Sequence, residues 1–582
     1  MNTHSKPPLQ SPSAPPLFPP VAAALLRWGF GACIGCLSVL AVGGAAVPAT
    51  DAQIRQALAD RVDRDHAAPG IVVGVVDAKG SRFFAHGHFA GADTPAVDPD
   101  TVFEIGSATK VFTSLLLAEA VGRKEVALDT KVAELLPAEV RGSARAAQTI
   151  TLLGLATHHS GLPRLPDNLV IFQPGNPYAD YTPADLYEFL AEFPPPADTG
   201  IGYAYSNLGA GLLGHLLALR AGTNYEALVR ARITAPLGMS ATAITLSPAL
   251  RDRLAPGHAG HGVPAANWDL PTLAGAGALR SSARDLLVFL AANLGLRPSP
   301  LLPAMRLQRE PRAATDSAVV RIGLGWHLTT KAGATTIWHN GQTGGYHSFL
   351  AFDPAAQRGV VVLANSTAAL EDLGGYVLDV AHALSPSPVD AGLRFTPVPP
   401  AVLAARAGRY QLTPQVFFNV RPSGDHLEAR LTGQSYLALY PASPTEFFYS
   451  DVDARITFEP AAGSGKAALV LHQNGRDQRA SKLADAGTPD PVPVRLDSAL
   501  YDRYAGRYEL VPEAVFTLHR RGDHLVARLT GQSYLEVLPS SATEFFYRDL
   551  DARLSFEVGA GGAVKSLTLH QNGRDQKARR LP

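Results

Sequence analysis

The sequence predicts an α+β protein, with one large domain of mixed helices and strands followed by two small antiparallel β-barrels. Three observations lead there. Ile71 to Val76 and Arg82 to His86 are strand-like runs separated by Asp77-Ala78-Lys79-Gly80-Ser81, the pattern of a hairpin. Apolar residues recur at three- and four-residue steps after Thr109 and again from Leu208 to Ala218, the period of helices. Beyond residue 400, short alternating runs separated by turn residues occur twice, at a constant offset of 98 residues.

From the N-terminus, residues 1–49 read as an export signal. Pro-rich polar residues with Lys6 as their only strong base run to about Pro20, and apolar residues follow from Val21 to Val47, interrupted by Arg27. Val47-Pro48-Ala49 offers small residues for cleavage. The alternative is an uncleaved anchor in the inner membrane, because Trp28 to Val47 nearly reaches spanning length. Cleavage, and a periplasmic or secreted product, is the favoured reading. Cys33 and Cys36 are the only cysteines, and both lie in this segment. The mature chain then has no thiol, which excludes cysteine-hydrolase and zinc-thiolate chemistry.

Residues 50–390 carry the candidate chemistry. Ser107 and Lys110 stand in Phe103-Glu104-Ile105-Gly106-Ser107-Ala108-Thr109-Lys110, and Val111, Phe112, Leu115, Leu116 and Ala118 continue a helix to a stop at Gly122. Ser107 falls near the helix N-terminus with Lys110 one turn on, on the same face. A partly buried lysine loses affinity for its proton and can serve as base for a serine nucleophile. The helix N-terminus presents N–H groups to a developing oxyanion. Alone, Ser-x-x-Lys also fits a solvated helix start. Downstream, Tyr205-Ser206-Asn207 precedes the second helical run. His339-Asn340-Gly341-Gln342 precedes two strands, His347 to Phe352 and Gly359 to Asn365. Ser-x-x-Lys, Tyr-x-Asn and basic-x-Gly in that order match the three-motif pattern of penicillin-recognising serine enzymes.

Residues from about Gln53 to Leu384 resemble the serine β-lactamase-related family, which spans class C β-lactamases, D-Ala-D-Ala carboxypeptidases, D-aminopeptidases and related esterases. Leu153 to Pro163, Ala235-Pro236-Leu237-Gly238-Met239 and Gly277 to Leu286 are similar to further stretches of that family. The resemblance implies an antiparallel sheet flanked by helices, with a helical lobe inserted. It implies a Ser107 acyl-enzyme, with Lys110 and Tyr205 handling the proton. Asn207, His339, Gly341 and Gln342 then bind substrate, and the backbone N–H groups of Ser107 and Gln342 form the oxyanion hole. No metal or organic cofactor is required. Two departures from true class C enzymes stand out. Ala108-Thr109 replaces the residues usual between nucleophile and lysine, and His339 stands where those enzymes carry lysine. A histidine is mostly neutral near pH 7, which weighs against efficient β-lactam hydrolysis.

The repeated unit supplies the barrels, residues 401–484 and 497–582. Ala407-Gly408-Arg409-Tyr410 recurs as Ala505-Gly506-Arg507-Tyr508, Leu431 to Tyr436 as Leu529 to Tyr534, and Leu471 to Gln478 as Leu569 to Gln576. Short strands and turns of this kind read as small antiparallel barrels, and both copies resemble the lipocalin-like barrels attached to this hydrolase family. Linkers run from Ser385 to Pro400 and from Ala486 to Pro493. The repeated His472 and His570, like the pair His158-His159, lack a spaced ligand cluster and read as structural. His347 faces either His339 or the opposite side of its strand.

Formal net charge is +0, which leaves no footprint for nucleic acid or an anionic membrane. The partner is a small-molecule or peptide substrate, peptidoglycan fragments among them; oligomeric state is not readable. Three functions stay open: hydrolysis of D-amino-acid peptides or related amides and lactams, hydrolysis of small esters, and binding through the barrels on a catalytically weak fold.

Overall fold

The computed structural model describes residues 47–195, 201–331, 333–385, 393–450, 452–461, 466–484, 491–548, 550–571 and 573–582. The expected export segment lies outside the described residues apart from Val47–Ala49, as do residues 386–392 and 486–490 of the two linkers. Among the described residues no helix is long and apolar enough to cross a membrane.

The expected hairpin forms, Gly70–Asp77 paired with Gly80–Gly87 through an Asp77–Gly80 turn. It is one end of an eight-stranded sheet. From that end the order is Gly80–Gly87, Gly70–Asp77, Arg358–Ala364, His347–Asp353, Ala334–Gln342, His327–Lys331, Val320–Ile322 and Ala313–Ala314. Every pairing is antiparallel. The central strands are covered on both faces, which is why Ile71 to Val76 and Val360 to Ala364 are continuous apolar runs rather than alternating ones. One face, with Val72, Leu350, Phe352 and Val361, packs on the helical layer. The other, with Val73, Phe349, Val360 and Val362, packs on Asp51–Ala59 and Glu371–Leu378.

Within the helical layer, Thr109–Gly122 and Asn207–Arg220 are buried on nearly every side, as helices apolar all round must be. Asn207–Arg220 is capped by Ser206, whose hydroxyl oxygen accepts from the Gly209 N–H. A short ladder of Val102–Glu104 with Arg280–Ser282 lies between sheet and helices and leads directly into the Ser107 turn.

Both repeats close into eight-stranded barrels. The first runs from Gly408–Thr413 to Arg476–Lys482 and closes by Tyr410↔Lys482. The second runs from Gly506–Val511 to Arg574–Arg580 and closes by Tyr508↔Arg580. Closure leaves no sheet edge to aggregate. The interiors are filled by inward side chains, Tyr410, Phe447 and Phe458 in one and Tyr508, Phe545 and Phe556 in the other.

Candidate active site

Ser107 lies in a tight turn, Gly106–Ala108, that feeds the helix Thr109–Gly122. Two glycines allow this turn to seat against the third-motif strand. Gly106 has φ +48°, and a Cβ there would fall 2.6–2.8 Å from backbone atoms of Gln342. A Cβ on Gly341 would fall 2.0 Å from the Ile105 carbonyl oxygen. The Ser348 hydroxyl, cross-strand from Gly341, donates to that same carbonyl at 2.7 Å. Pairing of the Ala334–Gln342 strand with His327–Lys331 stops at Trp338, so the stretch from His339 onward is left for the nucleophile turn.

Lys110 is 1% exposed. Its Nζ lies 2.8 Å from Ser107 Oγ, 2.9 Å from Asn207 Oδ1 and 2.7 Å from the Ala276 carbonyl oxygen. Burial, helped by the charge of Arg164, pushes its pKa well below the ordinary lysine value. A neutral amine has two N–H groups and one lone pair. Asn207 and Ala276 accept the two N–H groups, and the lone pair is left for the Ser107 hydroxyl to donate into. Asn207 holds this position because it opens the second buried helix, and its Nδ2 donates to the Tyr178 hydroxyl at 3.5 Å.

Tyr205 hydrogen-bonds Ser107, and burial pushes its phenol up to about 12 against the pull of that bond and of Arg164. Lys110 Nζ lies 4.9 Å and the Arg164 guanidinium carbon 5.3 Å from its ring centroid, and of the two only Arg164 brings a full positive charge. His158 packs on the ring at 4.5 Å, and its Nδ1 accepts the Ser206 N–H at 3.2 Å. The expectation of a structural role for His158 in its loop is met in this way, since it supports the Tyr205–Ser206 backbone. Among the described residues no group of three or more His, Cys, Asp or Glu could hold a metal.

His339 is fully buried, with its ring 6.5 Å from Tyr205 and 5.3 Å from His327. Its Nδ1–H donates to the Asn340 carbonyl, which leaves Nε2 as an acceptor. Burial, with smaller contributions from His327 and Lys110, holds its pKa well below the usual imidazole value. His158 is displaced the same way, and His327 to about 4. The third motif therefore presents neutral imidazole near pH 7. His347 takes the other of its two expected orientations, facing away from His339 on the far side of the sheet, with Nε2 3.2 Å from Glu371.

The structure thus brings Ser107, Lys110, Tyr205 and Asn207 into contact, with His339, Gly341 and Gln342 on the adjoining strand. Sequence reasoning missed Arg164, Tyr178 and the Ala276 carbonyl. Arg164 follows directly after the recognised stretch ending at Pro163, and its position was the one available signal. Tyr178 comes from an irregular segment and Ala276 from the single 3-10 turn Ala274–Ala276, and no periodicity encodes the approach of either. A cavity of about 1400 Å³ between the sheet end and the connector at Arg394–Phe395 is lined by none of Ser107, Lys110 or Tyr205.

Residues 51–382 match the family model described as Beta-lactamase, and residues 490–580 match a domain of unknown function, DUF3471. Penicillin-binding protein 4 of Amycolatopsis lactamdurans is 28% identical over 330 residues, 53% of this chain and 83% of that protein. The D-alanyl-D-alanine-carboxypeptidase/endopeptidase AmpH of Escherichia coli K12 is 28% identical over 346 residues, 56% of this chain and 88% of that one. Among solved structures, a class C beta lactamase from Rhodobacter sphaeroides aligns at 29% identity with a TM-score of 0.49, over 57% of this chain and 99% of the other.

Proposed function

Because the chain belongs to the beta-lactamase family and is a serine hydrolase, we propose that it cleaves amide bonds of D-amino-acid peptides or related small amides through an acyl-enzyme on Ser107. The carrying observation is the buried cluster on Ser107, with Lys110 Nζ 2.8 Å from Oγ and 2.9 Å from Asn207 Oδ1; burial drives Lys110 toward the neutral amine and favours the phenol form of Tyr205. Neutral Lys110 takes the Ser107 proton as Oγ attacks the carbonyl carbon. The N–H groups of Ser107 and Gln342 receive the oxyanion. Tyr205 gives its proton to the departing nitrogen, which leaves poorly as an anion; the resulting tyrosinate then draws a proton from the water that deacylates Ser107, and Lys110 returns its proton to the leaving Oγ. Export by the 1–49 segment belongs to the same reading, supported by its apolar run and small-residue cleavage site.

Ester hydrolysis is the second reading. The neutral His339 favours it, because nothing charged at the third motif demands an acidic substrate. Tyr205→Phe separates the two. An amide needs a proton on its leaving group, and a p-nitrophenyl ester does not. Amide turnover should fall by about 10²–10⁴-fold while p-nitrophenyl ester acylation falls far less. Equal losses on both would remove Tyr205 as the leaving-group acid. A substrate panel of D-amino-acid amides, D-Ala-D-Ala peptides, nitrocefin and short esters then ranks the classes.

A further inference from the structure

The two barrels are copies of one unit, and among the described residues the second grips the segment that borders the active site. Arg521 on its outer surface lies 3.0 Å from Glu188 and 3.2 Å from Asp185, and its Nη1 donates to the Asn168 carbonyl at 2.6 Å. Arg528 pairs with Glu192 at 2.7 Å. The His524 ring stacks on Phe172 at 4.1 Å, and Arg548 donates to the Phe172 carbonyl at 3.5 Å. Val526 and Tyr534 are buried against Val170 in a small apolar cluster of their own.

The gripped segment, residues 164–192, runs from the active site and back to it. At its start the Arg164 carbonyl accepts the N–H groups of Asn207 and Leu208, and the guanidinium lies over Tyr205. Further on, Tyr178 accepts from Asn207, which in turn accepts from Lys110. Between these two contacts Asn168 ties the loop together: its Nδ2 donates to the Asp185 carbonyl at 2.7 Å, and its Oδ1 accepts from Tyr181 at 3.1 Å. Arg521 holds the carbonyl of that same residue.

We propose that the second barrel, and not the first, is a positioning element of the active site, clamping residues 164–192 so that Arg164 and Tyr178 hold Tyr205 and Asn207 in register with Lys110. The duplication provides an internal control. At the positions of Arg521, Val526 and Arg548 the first barrel carries Ser423, Glu428 and Ser450, whereas Arg528, Tyr534 and His524 correspond to Arg430, Tyr436 and His426. The two copies share the outer aromatic, one arginine and the histidine but differ where the clamp bonds to the loop backbone, where Arg521 meets Asp185 and Glu188 of the helix Pro183–Glu192, and where Val526 buries an apolar contact. In the first copy Glu428 pairs with Arg421 at 2.7 Å, but the second copy has His519 at the Arg421 position, so a carboxylate at Val526 would be buried against Val170 without that partner, which costs binding.

The proposal rests on the Ser107 reading for its effect on rate but not for its effect on the loop. The test exchanges Arg521→Ser and Val526→Glu together in the full chain, residues that the first barrel carries at the same strand positions. Limited proteolysis with a broad protease should then cut within 164–182 in the variant and not in wild type, with residues 506–580 equally resistant in both. kcat/KM should fall on the order of 10- to 100-fold on esters and amides alike, since Lys110 and Asn207 serve both. Unchanged proteolysis with unchanged kcat/KM overturns the clamp. A freed loop with full activity overturns it too, because the loop would then need no holding. Lost activity with the loop still protected, or with 506–580 now cut, assigns the loss to damage elsewhere and counts against it. Fluorophosphonate labelling of Ser107 in wild type runs alongside: its failure strikes the nucleophile assignment, while the proteolysis arm still decides whether the barrel holds the loop.

Discussion

Lys110 has three oxygen neighbours, and a neutral amine can donate to only two of them. This single count sets the direction of the pH dependence. The active form is the deprotonated one, so kcat/KM should be lost as pH falls through the depressed Lys110 pKa and should be flat above it. A basic limb belongs to Tyr205, whose phenol is held up to about 12, so none should appear at mildly alkaline pH. A limb near pH 10 in a kcat/KM profile would place the base or the acid elsewhere. Lys110→Arg replaces the neutral amine with a guanidinium that cannot deprotonate, and should cost about 10²–10⁴-fold in kcat with the fold intact by circular dichroism. His339 contributes no charge near pH 7, so His339→Gln should leave the shape of the pH profile unchanged while altering KM.

The nucleophile turn and the third-motif strand meet through two glycines, and their packing is more demanding than either motif alone suggests. Gly341→Ala would put a methyl 2.0 Å from the Ile105 carbonyl oxygen. The turn must then shift, costing about 1–3 kcal/mol by urea unfolding, with acylation of Ser107 slowed at least as much as the Tyr205→Phe variant. Unimpaired labelling of a Gly341→Ala protein would show that turn and strand tolerate separation. The helices 109–122 and 207–220 and the strands flanking Ser348 are legible in the sequence because each repeats one period over several turns or residues. Tyr178, Ala276 and Arg164 are not, because each reaches the site from a loop or a single 3-10 turn without a repeating period, and the path of Tyr178 is set by distant partners, Trp268 and Asn207. The orientation of His347 needed the register of its strand against Ala334–Gln342, which no local pattern supplies.

In the whole molecule, several imidazoles are buried without charge, and this couples folding to pH. His327 is displaced from 6.5 to about 4, and His158 and His339 are lowered as well, all chiefly by burial. Their charged forms are disfavoured only in the folded state, so the unfolded chain binds more protons below about pH 6.5. The stability they contribute is complete above that pH and is lost as pH falls toward 4, on the order of 3 kcal/mol from His327 alone. Urea midpoints should therefore drop steadily between pH 7 and 4.5. A midpoint that stays level would mean these imidazoles are protonated in the native state. The barrel count was legible because the repeat is exact in offset; the difference between the copies emerged only from what each one touches.

The central claim is that Ser107 is the nucleophile of an acyl-enzyme, and the most direct measurement is the covalent map of a mechanism-based label. Full-length protein is treated with a fluorophosphonate and with a fluorescent penicillin, digested and sequenced by tandem mass spectrometry. The expected result is one modified peptide bearing the adduct on Ser107, absent from Ser107→Ala and strongly slowed in Lys110→Ala. An adduct on any other residue of the wild-type protein, or one that persists undiminished in Ser107→Ala, contradicts the account.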